Sequence, residues 1–564
     1  MRILFLILYS TLYSLLLSQD LRLSKTSGFY DQAFELEIIQ KDNLEIRYTT
    51  NGSSPHKNSP LYKGPILISK KLSKNNRLGL IPTTLKPNVS RSHQKSQVNS
   101  KIVYEIAWER PDKYPKAVVI TAQCFKEDKK IGEVVRASYF IGHDNYTLPI
   151  FSIYIDSLAL FDYDTGIYVP GIHCDSNNSV WTGNYHQSGK KWERRGHIEF
   201  ISNKKKVWHQ DVGIRIHGLK SGSAPQKSLR LYANKEYGKK HFKYPFFKNG
   251  IKKHKRLILR TPYSAHRDML ITDIIVQELC RDLNLDIMDY MPGLVFINGE
   301  YWGIQVLRER MDGYYLQNHY NLHPDSFYLE HWHAIGQTTN QLNELDLSKN
   351  EDFRLFTKSL DTTSFIDYFI AETYFRNKDW LVNNNNVEFW KKGKLGKWRF
   401  LFVDLDNCFQ EQSYDMFEFI NQNKNTIAAN FFLRLMKNEG FKNRFLERYA
   451  EVVNTHFHPT KVKQVIDSFY KALELEIPRH AKRWHHPSSL SDWKNELKRM
   501  KKWSLERPYY VDEQLKKHFN ISSTAISPEF LSKPINSHVF LWVLLACSLI
   551  LSIFIILLFR RRIK

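Results

Sequence analysis

The sequence has few cysteines, and none of them lies in a disulfide or metal-binding pattern. The five are far apart, form no Cys-x-x-Cys pair, and include one inside an apolar C-terminal segment: Cys124, Cys174, Cys280, Cys408 and Cys547. This spacing argues against a disulfide framework and against a zinc site. A metal ion, if one binds, must therefore be held by oxygen ligands.

Two common nucleotide-binding loops are also missing. The chain contains neither Gly-x-Gly-x-x-Gly nor Gly-x-x-x-x-Gly-Lys-Ser/Thr, and it shows no internal repeat. Neither a dinucleotide-binding fold nor a P-loop is therefore expected.

Acidic residues are scarce relative to basic ones. Lys and Arg number 82 against 58 Asp and Glu, which leaves a net charge of +24. Such a surface attracts anions, for example nucleotide phosphates, an acidic protein, an anionic polymer or lipid headgroups. The basic runs are scattered along the chain, so no nucleic-acid partner is expected. Apolar residues make up 42% of the chain, enough for globular cores.

Both ends of the chain are apolar. Residues 1–18 are typical of a secretory signal peptide, or alternatively of an uncleaved anchor. Residues 539–559 carry no charge and are long enough for a transmembrane helix, and the basic tail 560–564 predicts a cytoplasmic C-terminus. The sequence thus predicts a single-pass protein in the cell membrane, with residues between the two ends outside.

Short alternating strands fill residues 24–142. They are predicted at Phe34–Ile39, Leu44–Thr49, Lys116–Cys124 and Glu133–Ile141, with Asn51-Gly52 as a turn. The sequences Tyr-Thr-Thr-Asn-Gly-Ser-Ser-Pro and Tyr-Lys-Gly-Pro-Ile resemble the accessory β-sandwich at the C-terminal end of chitobiases and β-hexosaminidases. This unit is expected to be a spacer or, alternatively, to bind a cell-surface glycan.

Residues 148–510 mix helical and strand patterns. Helices are predicted at Ile271–Leu283, Ser364–Asn377 and Phe431–Phe457, and strands at Gly213–His217, Leu257–Arg260 and Lys397–Asp404. The predicted fold class is α+β: a large central domain, preceded by the small β-sandwich and followed by a linker (511–538) and the membrane helix.

The densest cluster of polar residues lies at positions 374–406. Asp379 is followed five residues later by Asn384, and a second pair of carboxylates, Asp404 and Asp406, follows an apolar strand. Protein kinases place a catalytic Asp, a metal-binding Asn and a metal-binding Asp in the same relation. The pattern predicts a divalent-cation and phosphate site.

Six ordered sequence patches resemble the spore coat protein H (CotH) kinase family of atypical kinases. The patches are Trp192-Glu193-Arg194, the run from Gly213 to Arg230, Phe296 to Gly303, Leu307 to Asp312, and the Asp379 and Asp404 blocks. The resemblance implies an atypical protein-kinase-like fold that uses ATP with Mg²⁺ or Mn²⁺.

The resemblance also implies roles for individual residues. Lys227 would contact the nucleotide phosphates together with Arg230, Asp379 would be the catalytic base, and Asp404 the chief metal ligand. Asn384 and Asp406 join the metal site on spacing alone. Glu309, or alternatively Glu278, would be the acidic partner of Lys227.

Two other signals carry no predicted role. The triplet His266-Arg267-Asp268 matches the kinase catalytic sequence, but Asp273 stands where Asn is required. His217, His331 and His333 lack a third ligand at zinc-like spacing.

The expected function is transfer of the ATP γ-phosphoryl group to Ser or Thr of a protein substrate. The alternatives are transfer to a glycan hydroxyl, and a non-catalytic envelope protein that keeps the fold.

Overall fold

The computed structural model describes residues 21–531, except 42–43, 74–76, 86–94, 99–100, 105–108, 112, 143–144, 262–268, 332–343 and 383–385. For 95–98, 101–104 and 331 it describes the backbone alone. The predicted signal peptide (1–18), Asn384, the segment 539–559 and the tail 560–564 therefore lie outside the described residues, as do the triplet at 266–268 and His333.

Twenty-two strands are described. Their bounds are β1 Arg22–Leu23, β2 Gly28–Tyr30, β3 Phe34–Leu36, β4 Ile38–Ile39, β5 Glu45–Thr49, β6 Ile66–Ile68, β7 Lys95–Val98, β8 Lys101–Tyr104, β9 Val118–Lys126, β10 Lys129–Ile141, β11 Ile150–Ile155, β12 Arg194–Ser202, β13 Lys205–His217, β14 Ser228–Tyr232, β15 Phe242–Lys243, β16 Lys253–His254, β17 Arg256–Arg260, β18 Tyr290–Ile297, β19 Glu300–Glu309, β20 Phe327–His331, β21 Glu388–Lys392 and β22 Arg399–Leu401.

The described α-helices lie mostly in the second half of the chain. Their bounds are α1 Ser157–Phe161, α2 Thr272–Leu279, α3 Gly313–Tyr320, α4 Asn350–Lys358, α5 Thr362–Tyr374, α6 Asp379–Val382, α7 Met416–Gln422, α8 Ile427–Leu435, α9 Glu439–Thr455, α10 Pro459–Leu473, α11 Ile477–Trp484 and α12 Leu490–Phe519.

Seven strands close into a barrel. They follow the order β12-β11-β18-β19-β17-β14-β13, and β13 pairs back onto β12. Only β11 and β18 run parallel in this ring, and the other neighbours are antiparallel. Because side chains alternate along a strand, each strand gives one set of residues to the interior and the other to the outer face.

The barrel interior is apolar, and helices cover part of its outer face. Leu229, Leu231, Leu257 and Leu259 are among the buried residues of the interior core. A larger core lies between the helices and outward-facing residues such as Val306. The barrel wall therefore separates two buried regions, and a side chain on β14 or β17 belongs to one or the other.

The N-terminal strands form a sandwich that continues from the barrel. One of its layers is the run β2-β10-β9-β5, and the other consists of the two-stranded sheets β1-β4 and β3-β6. Strand β2 joins β10 to the barrel strand β13 through the pairing of Gly28 with Lys205. A Cβ atom on Gly28 would lie 2.8 Å from the carbonyl oxygen of Lys204, so this junction requires glycine.

The predicted α+β fold class is corrected by this junction. Strands of the sandwich and of the central region share one 11-stranded sheet, so the chain is a mixed α/β protein built on one large sheet. The sequence prediction treated the sandwich as a separate unit because the contact at Gly28 joins residues about 180 positions apart, which local patterns do not reveal.

The predicted single-pass membrane topology, with an outside domain and a cytoplasmic C-terminus, is corrected as well. Over the described ranges between 21 and 531, every helix is too short or too polar to span a bilayer. The 30-residue helix α12 is long enough, but charged residues recur along it and it continues to Phe519, past the predicted start of the linker.

A buried histidine gives the fold an acid-sensitive element. The Nδ1 atom of His480 on α11 accepts a hydrogen bond from the Ile304 amide at 2.9 Å, and burial lowers the pKa of His480 to about 3. Because the unfolded chain takes up this proton first as the pH falls, the stability that neutral His480 contributes is lost below about pH 6.5.

We expect the free energy of unfolding to fall by about 2 kcal/mol between pH 7 and pH 5 through this residue. His480→Asn keeps an acceptor near the Nδ1 position and cannot titrate. Between pH 7 and pH 5 the free energy of unfolding of this variant should therefore fall by about 2 kcal/mol less than that of wild type. Urea unfolding at both pH values measures the difference. Equal losses in the two proteins would contradict the assignment.

Candidate phosphoryl-transfer site

Two carboxylates converge just after β22. Asp404 has a left-handed backbone (φ 57°), and its side chain is 40% exposed, whereas that of Asp406 is 9% exposed. Between them, Leu405 is fully buried and anchors the turn in the helical core. The turn thus presents Asp404 toward solvent and keeps Asp406 at the protein interior.

Arg260, the last residue of β17, bridges this pair. Its Nη2 atom donates to Oδ1 of Asp404 at 2.7 Å and to Oδ2 of Asp406 at 2.5 Å. Burial raises the pKa of Asp406 to about 6; Arg260 opposes the rise and the charge of nearby Asp273 adds to it. The site therefore combines two carboxylates and a cation on the outer face of the barrel.

A buried ion pair between Asp273 and Arg308 holds the turn that contains Asp404, Leu405 and Asp406. Asp273 on α2 accepts from Nη2 of Arg308 at 2.6 Å and, through its other oxygen, from the Leu405 amide at 3.2 Å. Both charged side chains are almost fully buried. The pair ties α2 and β19 to the segment that carries Asp404 and Asp406.

The segment that leads into Asp379 contacts the Asp404 segment. After α5 ends, Asn377 is fully buried and its Nδ2 donates to the Asp404 carbonyl oxygen at 3.2 Å. Asp379 begins α6 and is partly exposed. The backbone amide of Asn377 donates to the Glu372 carbonyl oxygen at 3.1 Å, and burial raises the pKa of the Glu372 side chain well above its usual range.

Asn377 was not among the predicted site residues. The sequence feature that could have identified Asn377 is its position two residues before Asp379, between the end of α5 and the start of α6. Local spacing could have indicated that a polar residue there faces the site, but not that it binds the Asp404 backbone.

The oxygen atoms at this site suit a hard divalent cation. Oδ1 of Asp406 and Oδ1 of Asn377 are buried and have no hydrogen-bond partner within the described part of the chain. Carboxylate and amide oxygens are the ligands that Mg²⁺ prefers. Within that part of the chain, no three His, Cys, Asp or Glu side chains are arranged to hold a metal. What suits the site to a divalent cation is therefore the chemical type of its oxygen atoms.

Lys227 lies apart from these carboxylates. Its side chain is fully buried at one end of the barrel, where Nζ donates to the Ala224 carbonyl oxygen at 2.8 Å. The amine lies 4.0 Å from the ring centre of Tyr185 and 5.5 Å from that of Tyr168. Burial lowers the pKa of Lys227 well below its usual range.

Neither predicted acidic partner contacts Lys227. Glu309 accepts from Nε2 of His319 at 2.9 Å and from the Asp289 amide at 3.1 Å. Glu278 accepts from Arg281 and from the hydroxyl of Tyr290. Gln305 on β19 donates to the Lys227 carbonyl oxygen, and Glu309 lies four residues further along the same strand. Glu309 is therefore about 13 Å along β19 from the residue that contacts Lys227.

Arg230 lies on the outer face of the barrel, the same face as Arg260. It donates from Nε to Nδ1 of His217 at 2.8 Å. Burial lowers the pKa of His217, and the charges of Arg230, Arg260 and Arg310 lower it further. The outer ends of β13, β14, β17 and β19 thus form a cationic surface beside the two carboxylates.

Two family models match the chain. The model described as CotH kinase protein matches residues 214–331 and 323–511, which together cover more than half of the chain. The model described as Fn3 associated matches residues 34–139, consistent with the predicted N-terminal β-sandwich. Among curated proteins, none matches the chain.

Proposed function

Because the chain belongs to the CotH kinase protein family, we propose that it transfers the γ-phosphoryl group of ATP to a Ser or Thr hydroxyl of a protein. The observation that carries this proposal is the meeting of two segments: the buried Asn377 amide binds the Asp404 backbone, which brings the Asp379 block beside Asp404 and Asp406. In this proposal, Asp379, Asp404 and Asp406 belong to one site.

In this proposal Asp404 and Asp406 hold a divalent cation. Asp404 is exposed enough to reach a ligand, and Asp406 offers a buried oxygen that lacks another partner within the described residues. A bound Mg²⁺ or Mn²⁺ neutralises phosphate charge in such sites. The protein's own contribution is to keep the two carboxylates fixed through the buried Asp273–Arg308 pair.

Asp379 takes the part of the catalytic base. Its place at the first turn of α6 leaves the carboxylate partly exposed. As the acceptor oxygen forms its bond to the γ-phosphorus, the bond from that phosphorus to the ADP oxygen breaks, and the hydroxyl proton passes to the Asp379 carboxylate. ADP is the leaving group, and the proton then returns to solvent.

Asp379→Asn tests this role. The amide cannot accept the hydroxyl proton, so we expect the transfer rate to fall about 10²-fold or more, while the affinity for ATP with Mg²⁺ changes less than about threefold. Incorporation of ³²P from γ-labelled ATP measures the rate. Asp325→Asn, which alters a 90% exposed carboxylate, is the control and should act like wild type.

The same assay identifies the acceptor. Acid hydrolysis of the labelled product yields phosphoserine or phosphothreonine if the acceptor is a protein hydroxyl. Label recovered on a sugar would instead favour glycan phosphorylation. Absence of any metal-dependent label in wild type, with a range of acceptors, would overturn the proposed function.

A further inference from the structure

Whether a cationic side chain can reach Asp404 and Asp406 depends on whether it points into the barrel or toward its outer face. On β14, Leu229 and Leu231 point into the barrel, and on β17 their pairing partners Leu259 and Leu257 do the same. Arg260 follows Leu259 and therefore faces outward. Its two hydrogen bonds to Asp404 and Asp406 agree with that direction.

Lys227 faces the other way. Two residues before Leu229 on the same strand path, it shares the inward direction, and its amine lies in an aromatic cage formed by Tyr168 and Tyr185. The cage leaves the side chain with no exposed surface. An amine in this place cannot approach a phosphate at Asp404 unless the end of the barrel opens.

Arg260 has the properties that a phosphate-binding residue requires. A guanidinium carries five N–H donors, and both hydrogen bonds that reach the carboxylates come from Nη2 alone. Nε is buried and lacks a hydrogen-bond partner among the described residues. Arg230, whose Nε donates to Nδ1 of His217 at 2.8 Å, adds positive charge on the same outer face.

We propose that Arg260, rather than Lys227, binds the nucleotide phosphates, and that without ligands it occupies the position of a cation between Asp404 and Asp406. This inference rests on the proposed function. The planar guanidinium suits paired phosphate oxygens, and its present partners are the same carboxylates that a metal would need. Arg260 therefore competes with a bare metal ion but supports binding of the metal–nucleotide complex.

Arg260→Met gives effects of opposite sign on two ligands. Without the competing guanidinium, Mn²⁺ alone should bind about tenfold more tightly, as measured by electron paramagnetic resonance. ATP with Mg²⁺ should bind about tenfold or more weakly by calorimetry, because the phosphate contact is gone. Adenosine, which has no phosphate, should keep its affinity within about twofold. A purely structural defect would weaken all three.

Arg256→Met is the matched control. Arg256 lies four residues earlier on the same strand and face, but its guanidinium pairs with Asp312 at 2.9 Å. We expect this variant to bind all three ligands like wild type. Arg260→Lys provides a second variant should the methionine destabilise the fold: it keeps the charge, so Mn²⁺ binding should stay near wild type while ATP affinity falls by a few-fold.

Three results would overturn the inference. One is unchanged ATP affinity in both Arg260 variants while wild type binds ATP with Mg²⁺, which leaves the proposed function intact. Another is loss of ATP affinity in Lys227→Met but not in Arg260→Met. The third is failure of wild type itself to bind ATP with Mg²⁺, which removes the proposed function together with the inference.

Discussion

Replacing Asp404 by Asn should lower the rate of phosphoryl transfer at least about 10³-fold, because phosphoryl transfer depends almost entirely on positioning and charge stabilisation. Asn has the size of Asp but no negative charge, so it cannot neutralise a cation. Asn also tolerates the left-handed conformation found at this position (φ 57°), so the backbone should not change. The expected defect is therefore chemical and not conformational.

The measurement is ³²P incorporation under saturating ATP and Mg²⁺, with the thermal midpoint recorded in parallel. Asp325→Asn again serves as the control for an exposed carboxylate. Transfer by Asp404→Asn at more than about a tenth of the wild-type rate would place the metal-binding carboxylate elsewhere.

Arg507→Met should lower the free energy of unfolding by about 3–5 kcal/mol. Arg507 on α12 is fully buried, and its guanidinium donates to four backbone carbonyl oxygens, those of Thr373, Tyr374, Gln412 and Tyr414, at 2.6–3.0 Å. Methionine fills the space but removes the Arg507 donors from all four carbonyls, of which that of Tyr414 keeps a hydrogen bond from Nε2 of Gln514 at 3.0 Å. Burial lowers the pKa of Arg507 to about 10, so it stays charged at pH 7.

This clamp holds the end of α5, which leads directly into Asn377 and Asp379. Urea unfolding measures the stability, and Lys502→Met on an exposed part of the same helix is the control, with an expected change below about 1 kcal/mol. Arg507→Lys should rescue little, because one ammonium group cannot reach four carbonyls. A loss of less than about 1 kcal/mol in Arg507→Met would contradict the account.

Much of the local structure could be predicted from the sequence. The apolar periodicity at 271–283 and 364–377 corresponds to α2 and α5, and the alternating pattern at 257–260 to β17. The motif around Asp379 and Asp404 predicted that two distant segments meet, and Asn377 joins them. The helices and the strand could be predicted because helix and strand periods are local properties.

The sequence around Lys227 already indicates which way its side chain points. Lys227, Leu229 and Leu231 alternate with Ser228, Arg230 and Tyr232, so a period of two already places Lys227 on the apolar face. The same reasoning on β17 separates Leu257 and Leu259 from Arg260. This pattern favours a buried side chain for Lys227, whereas the family resemblance implies one that reaches nucleotide phosphates.

Closure of the barrel could not be read from local patterns. It depends on the pairing of β13 with both β12 and β14, and on the parallel contact between β11 and β18, which are about 140 residues apart. The pairing of Arg260 with Asp404 likewise joins positions 144 residues apart. Such contacts are set by tertiary packing, and single-sequence periodicity carries no information about them.

The central claim is that Asp404 and Asp406 form a site for ATP together with a divalent cation, and thermal unfolding of the full-length chain tests it most directly. With ATP and Mg²⁺ together at about 100 times the dissociation constant, the midpoint should rise by about 2–5 °C, while either ligand alone should give a much smaller rise. A midpoint that stays the same with both ligands at millimolar concentration would contradict the account.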